Sequence, residues 1–484
     1  MNDSIVSLRI SIGAAVLALL SACATVDRTS SREAVVDPTK LGATEAPVDW
    51  PRDDWWTRYG DPQLDALVAE GVAGSPNIAA AKARIARAAA ATGVARAALL
   101  PEVGGNATAT YQRYSENSIF PPPLGGSWQT EARLALDFNY EIDFWDKNGA
   151  ALRAALSQAQ ASQAESQAVR LTLTSSIAHQ YFDLQRLLAQ RAVSRAAIVQ
   201  REDIVRITNE RFAAGLDTKV EVRQAEAALG TVRTELAQYD EAIAIARHRI
   251  AALVGQGPER GARIVAVSAR APAASLPSAI PLDLIARRPE IAASRLRVEA
   301  SREEIHVARA QFYPNVNIAA FAGVGSLGLS NLLLASSGIL GVGPAIHLPI
   351  FEGGRLNANL QGREAESDLA VTTYNQSVID AVRDLADAVT SIQGLARTSA
   401  EQAIARKATD EAYELAVVRY RAGLGNYLTV LTAQTQQLAQ DRLNVDLAAR
   451  AFDLDVNLAR ALGGGYEDAG ATRLSSARPM ELPQ

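Results

Sequence analysis

Leu134-Ala135-Leu136-Asp137-Phe138-Asn139-Tyr140-Glu141-Ile142-Asp143-Phe144 is the stretch on which the fold turns. Side chains alternate between the two faces of an extended strand. Leu134, Leu136, Phe138, Tyr140, Ile142 and Phe144 therefore share one face, and Ala135, Asp137, Asn139, Glu141 and Asp143 the other. Alternation over about 11 residues is the length and pattern of a transmembrane β-strand, apolar toward lipid and polar toward a lumen. A half-buried strand of a soluble sandwich alternates in the same way, so the surroundings must decide.

Those surroundings favour the membrane. The sequence offers four strands, at about Glu102–Tyr111, Arg133–Phe144, Asn315–Gly323 and Gly343–Phe351. In the third, Val316, Ile318, Ala320 and Ala322 alternate with Asn315, Asn317 and Ala319. No helix breaker of consequence lies between Ala150 and Ala214, which at about 1.5 Å per residue predicts a helix of roughly 100 Å. Leu173, Ile177, Tyr181, Leu184 and Leu188 form an apolar stripe on it at coiled-coil spacing, and Val378, Val382, Leu385, Val389 and Ile392 form another further on. Ala, Ser and Gln fill much of the remaining helix surface, which suits close helical neighbours. Gly215 and Gly423 supply the left-handed residue that ends a helix, and a second helix follows each.

The chain is duplicated. Pro76 and Pro289 stand 213 positions apart, as do Pro101 and Pro314. Arg211-Phe212-Ala213-Ala214-Gly215-Leu216 matches Arg419-Tyr420-Arg421-Ala422-Gly423-Leu424 at a shift of 208. Each half reads helix, strand, strand, very long helix, turn, long helix; the first proline opens a helix and the second closes it. The expected segments are 1–22 as signal peptide, 23–74 as an N-terminal lipidated and equatorial part, 75–270 as the first repeat, 271–463 as the second, and 464–484 as a flexible tail.

Composition narrows the function. A formal net charge of -5 over 484 residues gives no basic stripe for nucleic acid. No apolar run reaches the roughly 20 residues of a spanning helix. The one cysteine excludes an intrachain disulfide. It follows a short apolar stretch, Ile10 to Leu20, and small residues, which reads as a secretory signal. Leu20-Ser21-Ala22-Cys23 resembles the bacterial lipobox, so Cys23 is the expected site of a covalent lipid, with no other cofactor. His179, His248, His306 and His347 are far apart in sequence, none at ligand spacing from a Cys or carboxylate, and no nucleophile or phosphate-loop motif occurs. The reading is therefore not an enzyme. With methionine only at Met1 and Met480, a methionine relay for copper is not expected.

Four strands cannot close a barrel, and an open sheet edge is not tolerated in hydrocarbon. Closure takes at least about eight strands, so several chains must share one barrel. Physics alone leaves two or three chains open.

The whole mature chain resembles the TolC-like outer-membrane factors, in particular their lipoprotein (NodT-type) branch. Four segments carry the likeness in order: Trp55-Trp56-Thr57-Arg58-Tyr59-Gly60-Asp61-Pro62-Gln63-Leu64, Arg287-Arg288-Pro289-Glu290-Ile291, Pro349-Ile350-Phe351-Glu352-Gly353-Gly354-Arg355 and Arg419-Tyr420-Arg421-Ala422-Gly423. The resemblance implies a mainly α fold with a membrane β-barrel part, in which a homotrimer forms a 12-stranded barrel on a long α-helical barrel. It implies a lipid-anchored outer-membrane duct for small molecules, docked to a periplasmic adaptor (membrane fusion protein) and an inner-membrane RND-type pump. Arg211, Phe212, Gly215, Arg419, Tyr420 and Gly423 would lie at the periplasmic tip. Many relatives carry pore-facing aspartates after the second turn; here Thr429 and Thr432 stand there, with Glu221 at the matching place in the first repeat. Asp137, Asn139, Glu141 and Asp143 would line an acidic upper pore. Asp380, Asp384 and Asp387 read as a solvated face. A periplasmic adaptor or coiled-coil scaffold, or a protein-secretion duct, are the alternatives.

Overall fold

The computed structural model describes residues 33–44, 48–117, 119–267, 271, 276–277 and 279–467. Cys23, the expected signal segment 1–22 and the residues beyond 467 lie outside them. The chain divides into two compact units, and each draws on both repeats.

The first unit, Ile85–Ala161 and Ser294–Tyr374 with the N-terminal residues to Val35, carries the sheet. Strands β1 (Glu102–Arg113), β2 (Trp128–Ile142), β3 (Asn315–Leu327) and β4 (Gly338–His347) pair antiparallel in the order β1-β2-β3-β4. The strands are longer than, or offset from, the sequence expectation. β2 begins at Trp128 because Gln129 to Arg133, polar on both faces and so without clear alternation, pair with Thr108 to Gln112. It ends at Ile142 because the Asp143 carboxylate turns to accept the backbone N–H groups of Lys147 at 2.7 Å and Gly149 at 2.8 Å. β4 lies at Gly338–His347, not Gly343–Phe351. Its glycines hide the alternation, and pairing with β3, from Asn315↔His347 to Val324↔Gly338, reveals it.

Long helices leave the strands: α1 (Pro62–Gly74), α2 (Pro76–Ala97), α3 (Lys147–Ala213), α4 (Lys219–Leu253), the short α5 (Pro258–Ala262) and α6 (Leu284–Arg287), α7 (Pro289–Ala310), α8 (Arg355–Arg421) and α9 (Tyr427–Ala461). The duplication is kept in length. α2 and α7 each have 22 residues, α3 and α8 each 67, and α4 and α9 each 35. Among the described residues no helix is long and apolar enough to cross a membrane.

The second unit, Val36–Arg84, Ser162–Ala293 and Asn375 onward, holds the main core. The expected stripe on α3 is buried throughout, with Leu173, Ile177, Tyr181, Leu184 and Leu188 at most 5% exposed. On α8 the closest side is carried by Val378, Ala381, Leu385 and Ala388, while Val382 and Val389 are only half-buried. The N-terminal signature acts as a clasp on this core. Asp61 caps α1 through the N–H of Gln63 at 2.9 Å, and accepts the Tyr181 hydroxyl at 2.5 Å. Tyr59 and Arg58 both donate to Asp455 of α9, at 2.7 and 2.5 Å. Arg288, 6% exposed, holds Glu290 and, at 3.2 Å, Asp384.

Candidate functional site

The strand register sorts the sheet into two chemically different faces. Pairing places Gln129, Glu131, Arg133, Asp137 and Asn139 of β2 beside Gln112, Thr110, Thr108, Gly104 and Glu102 of β1, and Glu141 beside Asn317 of β3. Asn106 of β1 joins this face and donates to Asp137 at 2.7 Å, and Arg133 donates to the same carboxylate at 2.6 Å. Lys147 stands 2.5 Å from Glu141. The opposite face bears Val103 and Tyr111 of β1, Trp128, Leu134 and Leu136 of β2, and Leu340, Val342 and Ile346 of β4, all exposed. A contiguous bare apolar face of this kind needs a non-aqueous neighbour.

Aromatic rings bound it at both strand ends. Tyr111 stacks on Trp128 with centroids 5.2 Å apart, and Trp145 stacks on Tyr313 at 4.6 Å. Tyr and Trp pairs at the two limits of an apolar band suit the two water interfaces of a bilayer. Among the described residues the backbone edges of β1 and β4 have no partner strand.

The expected luminal residues divide. Asp137, Asn139 and Glu141 lie on the polar face. Asp143 does not: it sits beyond the strand as the cap of α3, a correction to the sequence expectation. Arg133, which the sequence reading left off the face, offsets part of its acidity.

The two hairpin turns are built alike. Gly215 and Gly423 adopt φ of 73° and 76°. The N–H of Leu216 reaches the carbonyl of Arg211 at 2.9 Å, and that of Leu424 reaches Arg419 at 2.8 Å. This is the closure that a left-handed C-terminal residue allows. Around the turns the symmetry breaks. Asp217, 9% exposed at its side chain, takes hydrogen bonds from Arg211 at 3.0 and 3.3 Å and from the Tyr420 hydroxyl. Arg211 also donates to the Tyr420 carbonyl at 2.9 Å and lies 4.5 Å from its ring centroid. Arg421 donates to Asp203 at 2.6 Å. Burial, then the bond to Asp217, pushes the Tyr420 hydroxyl up to about 12. Both hairpins are thus pinned together by a network in which Asp217 and Tyr420 occur once each, while Arg211 has Arg419 as its counterpart. At the repeat shift of 208, Asp217 corresponds to Gly425 and Tyr420 to Phe212. That asymmetry was the readable signal for a network that the sequence reading passed over.

The three gate candidates have local partners. Glu221 completes a capping box with Thr218, whose hydroxyl bond holds the carboxyl below its usual range. Thr429 occupies the equivalent position and bonds Asn426 at 2.8 Å, and Thr432 bonds the Leu428 carbonyl at 2.9 Å. Phe212 is exposed, at 44%. Asp380 and Asp384 pair with Arg383, both at 2.9 Å, and Asp384 also reaches the buried Arg288 at 3.2 Å, so it does more than sit on a solvated face.

Paired apolar and polar sheet faces, bounded by aromatic rings, in a chain of duplicated long hairpins define an outer-membrane channel protein. The chain belongs to the outer membrane efflux protein family, whose profile matches residues 67–256 and 280–464. It is similar to the multidrug resistance outer membrane protein MdtP of Shigella flexneri, with 32% identity over 93% of this chain and 95% of the relative. The fusaric acid resistance protein FusA of Burkholderia cepacia is 36% identical over 72% of this chain and 68% of its own length. The outer membrane protein VceC of Vibrio cholerae shares the fold with a TM-score of 0.82 and 38% identity, over 86% of this chain and 100% of that one. The protein is an efflux channel of the outer membrane that extends into the periplasm. The adaptor and scaffold readings are set aside.

Proposed function

We propose that three copies share one barrel and form a passive duct for small molecules, fed by a periplasmic adaptor and an inner-membrane pump. The observation that carries this is the four-stranded sheet with a bare apolar face and two unpaired edges. In hydrocarbon each unsatisfied backbone group costs several kcal/mol, so β1 and β4 need strands from other copies. The resistance functions named for MdtP and FusA support a small-molecule cargo over a secreted protein.

Cys23 is the lipid anchor in this reading. The Glu33 N–H donates to Asp368 at 3.3 Å, fixing the segment against α8. Asp368 lies 13 residues, or about 20 Å along the helix, from Arg355 at the strand end of α8. The ten residues back to Cys23 can span about 33 Å extended, enough to reach that end. The hairpin turns, with Arg211, Phe212, Gly215, Arg419, Tyr420 and Gly423, are the docking end for the adaptor. The Asp217–Arg211–Tyr420 network keeps them closed, a stronger candidate for the gate than Glu221, Thr429 or Thr432.

Light scattering on the outer-membrane fraction, extracted in mild detergent, tests the assembly. The expected protein mass is that of three chains; a monomer in the soluble periplasm would overturn the shared barrel.

A further inference from the structure

Arg201 on α3 is 7% exposed, and its Nε is shut off from water without an acceptor. Among the described residues neither a carboxylate nor a hydrogen-bond acceptor pairs with its guanidinium. Arginine cannot shed its proton inside a protein, so the charge stays and needs compensation. The groups that act on it come from three other helices: Glu235 of α4, Tyr413 of α8, and Tyr427 and Arg442 of α9. Glu235 is already taken by Arg442, at 3.2 Å from one Nη and closer to the other. The cluster therefore keeps one positive charge in excess. The Arg442 Nε is likewise buried without an acceptor. Tyr413 accepts from Gln434 at 3.4 Å, which leaves its own O–H available to donate. Among the described residues Gln190 Oε1 on α3 and Gln440 Oε1 on α9 are buried without a donor as well. The charged groups left without a partner, however, are the two arginine donors, and what they lack is a negatively charged acceptor.

We infer that Arg201 and Arg442 hold a small inorganic anion of the halide class, enclosed by α3, α4, α8 and α9. A bound anion would tie the first hairpin to the second with charge-assisted hydrogen bonds, roughly twice as strong as neutral ones. A carboxylate from another copy is the competing acceptor. The Arg201 Nε is shut off by its own chain, so a carboxylate from another copy would have to reach into a packed helical layer to meet it, whereas a halide needs little more room than a water. The site lies within one chain and does not depend on how chains assemble.

Crystals of the full-length protein soaked in sodium bromide give the direct test. The expected result is an anomalous bromide peak within hydrogen-bonding reach of the Arg201 guanidinium. Absence of a peak, or a neighbouring copy's carboxylate in that place, overturns the inference. In detergent, melting temperature is compared in sodium chloride and sodium gluconate at matched ionic strength. The wild-type chain should melt a few degrees higher in chloride, and Arg201→Met should lose that difference while melting no lower than wild type in gluconate. Equal wild-type melting in the two salts also overturns it. If Arg201→Met fails to fold, the bromide map and the wild-type salt comparison decide.

Discussion

At the residue scale, the hairpin turns show how a single atom can decide a state. The hydroxyl of Tyr420 is the only chemical difference between it and phenylalanine, the residue at the matching place in the first repeat. Tyr420→Phe removes a hydrogen bond to a charged group, a class of interaction worth about 1.5–3 kcal/mol. The expected outcome is a looser closed state, read as higher single-channel conductance in planar bilayers together with a modestly lower melting temperature. The same bond carries a pH signature. Tyrosine ordinarily titrates near 10 and this one at about 12, so the folded state holds the proton more tightly. Its contribution is complete below pH 10 and is lost as pH rises from 10 to 12. Wild-type conductance should climb across that window, and Tyr420→Phe should already be high and flat. At Gly215 the issue is backbone: a side chain at φ of 73° is strained, so Gly215→Ala should lower stability by about 1 kcal/mol in thermal unfolding.

At the element scale, the two sheet faces make opposite predictions for neighbouring positions. Leu136 is 61% exposed on the apolar face. An arginine there would meet lipid, at a cost of about 2–4 kcal/mol near the bilayer midplane. Leu136→Arg should therefore reduce the amount of heat-resistant assembly recovered from outer membranes. Asp137, one residue on, faces the other way, and Asp137→Asn should assemble normally. On the polar face Glu102, Glu131, Asp137 and Glu141 outnumber Arg133, and Lys147 offsets Glu141. The channel should prefer cations, and Asp137→Asn should weaken that preference in reversal-potential measurements. A wild-type preference for anions would show that this face does not line the conducting path. Among the helices, α3 follows its apolar spacing closely, whereas α8 relies on Ala381 and Ala388, whose small side chains permit close approach.

At the scale of the whole molecule, edge strands set the requirement for assembly, and the proposed lipid on Cys23 would add to membrane attachment. Each buried CH₂ of an acyl chain adds about 0.8 kcal/mol of membrane affinity. With a shared barrel already in the bilayer that increment is secondary. Cys23→Ser should leave the protein in the outer-membrane fraction and slow the appearance of assembled trimer in pulse-labelled cells. Loss of the protein to the soluble fraction would make the anchor, and not the barrel, the main membrane attachment.

Much of this was written in local sequence. Period-2 alternation from Leu134 to Ile142, heptad spacing from Leu173 to Leu188 and the paired prolines depend on neighbours in the chain. They identified strands, long helices and duplication without tertiary information. Gly215 and Gly423 announced both turns for the same reason. Three things needed the folded chain. The extent of β4 depends on hydrogen bonds to β3, because glycines carry no pattern of their own. Asp143 looked luminal by parity, yet its carboxylate serves two backbone N–H groups once α3 begins beneath it. Asp217, Arg211 and Tyr420 come from two different repeats, about 200 residues apart in the chain. Only packing of one hairpin on the other brings Tyr420 to the local Arg211–Asp217 pair, since a hydrogen bond between distant segments leaves no period in the sequence.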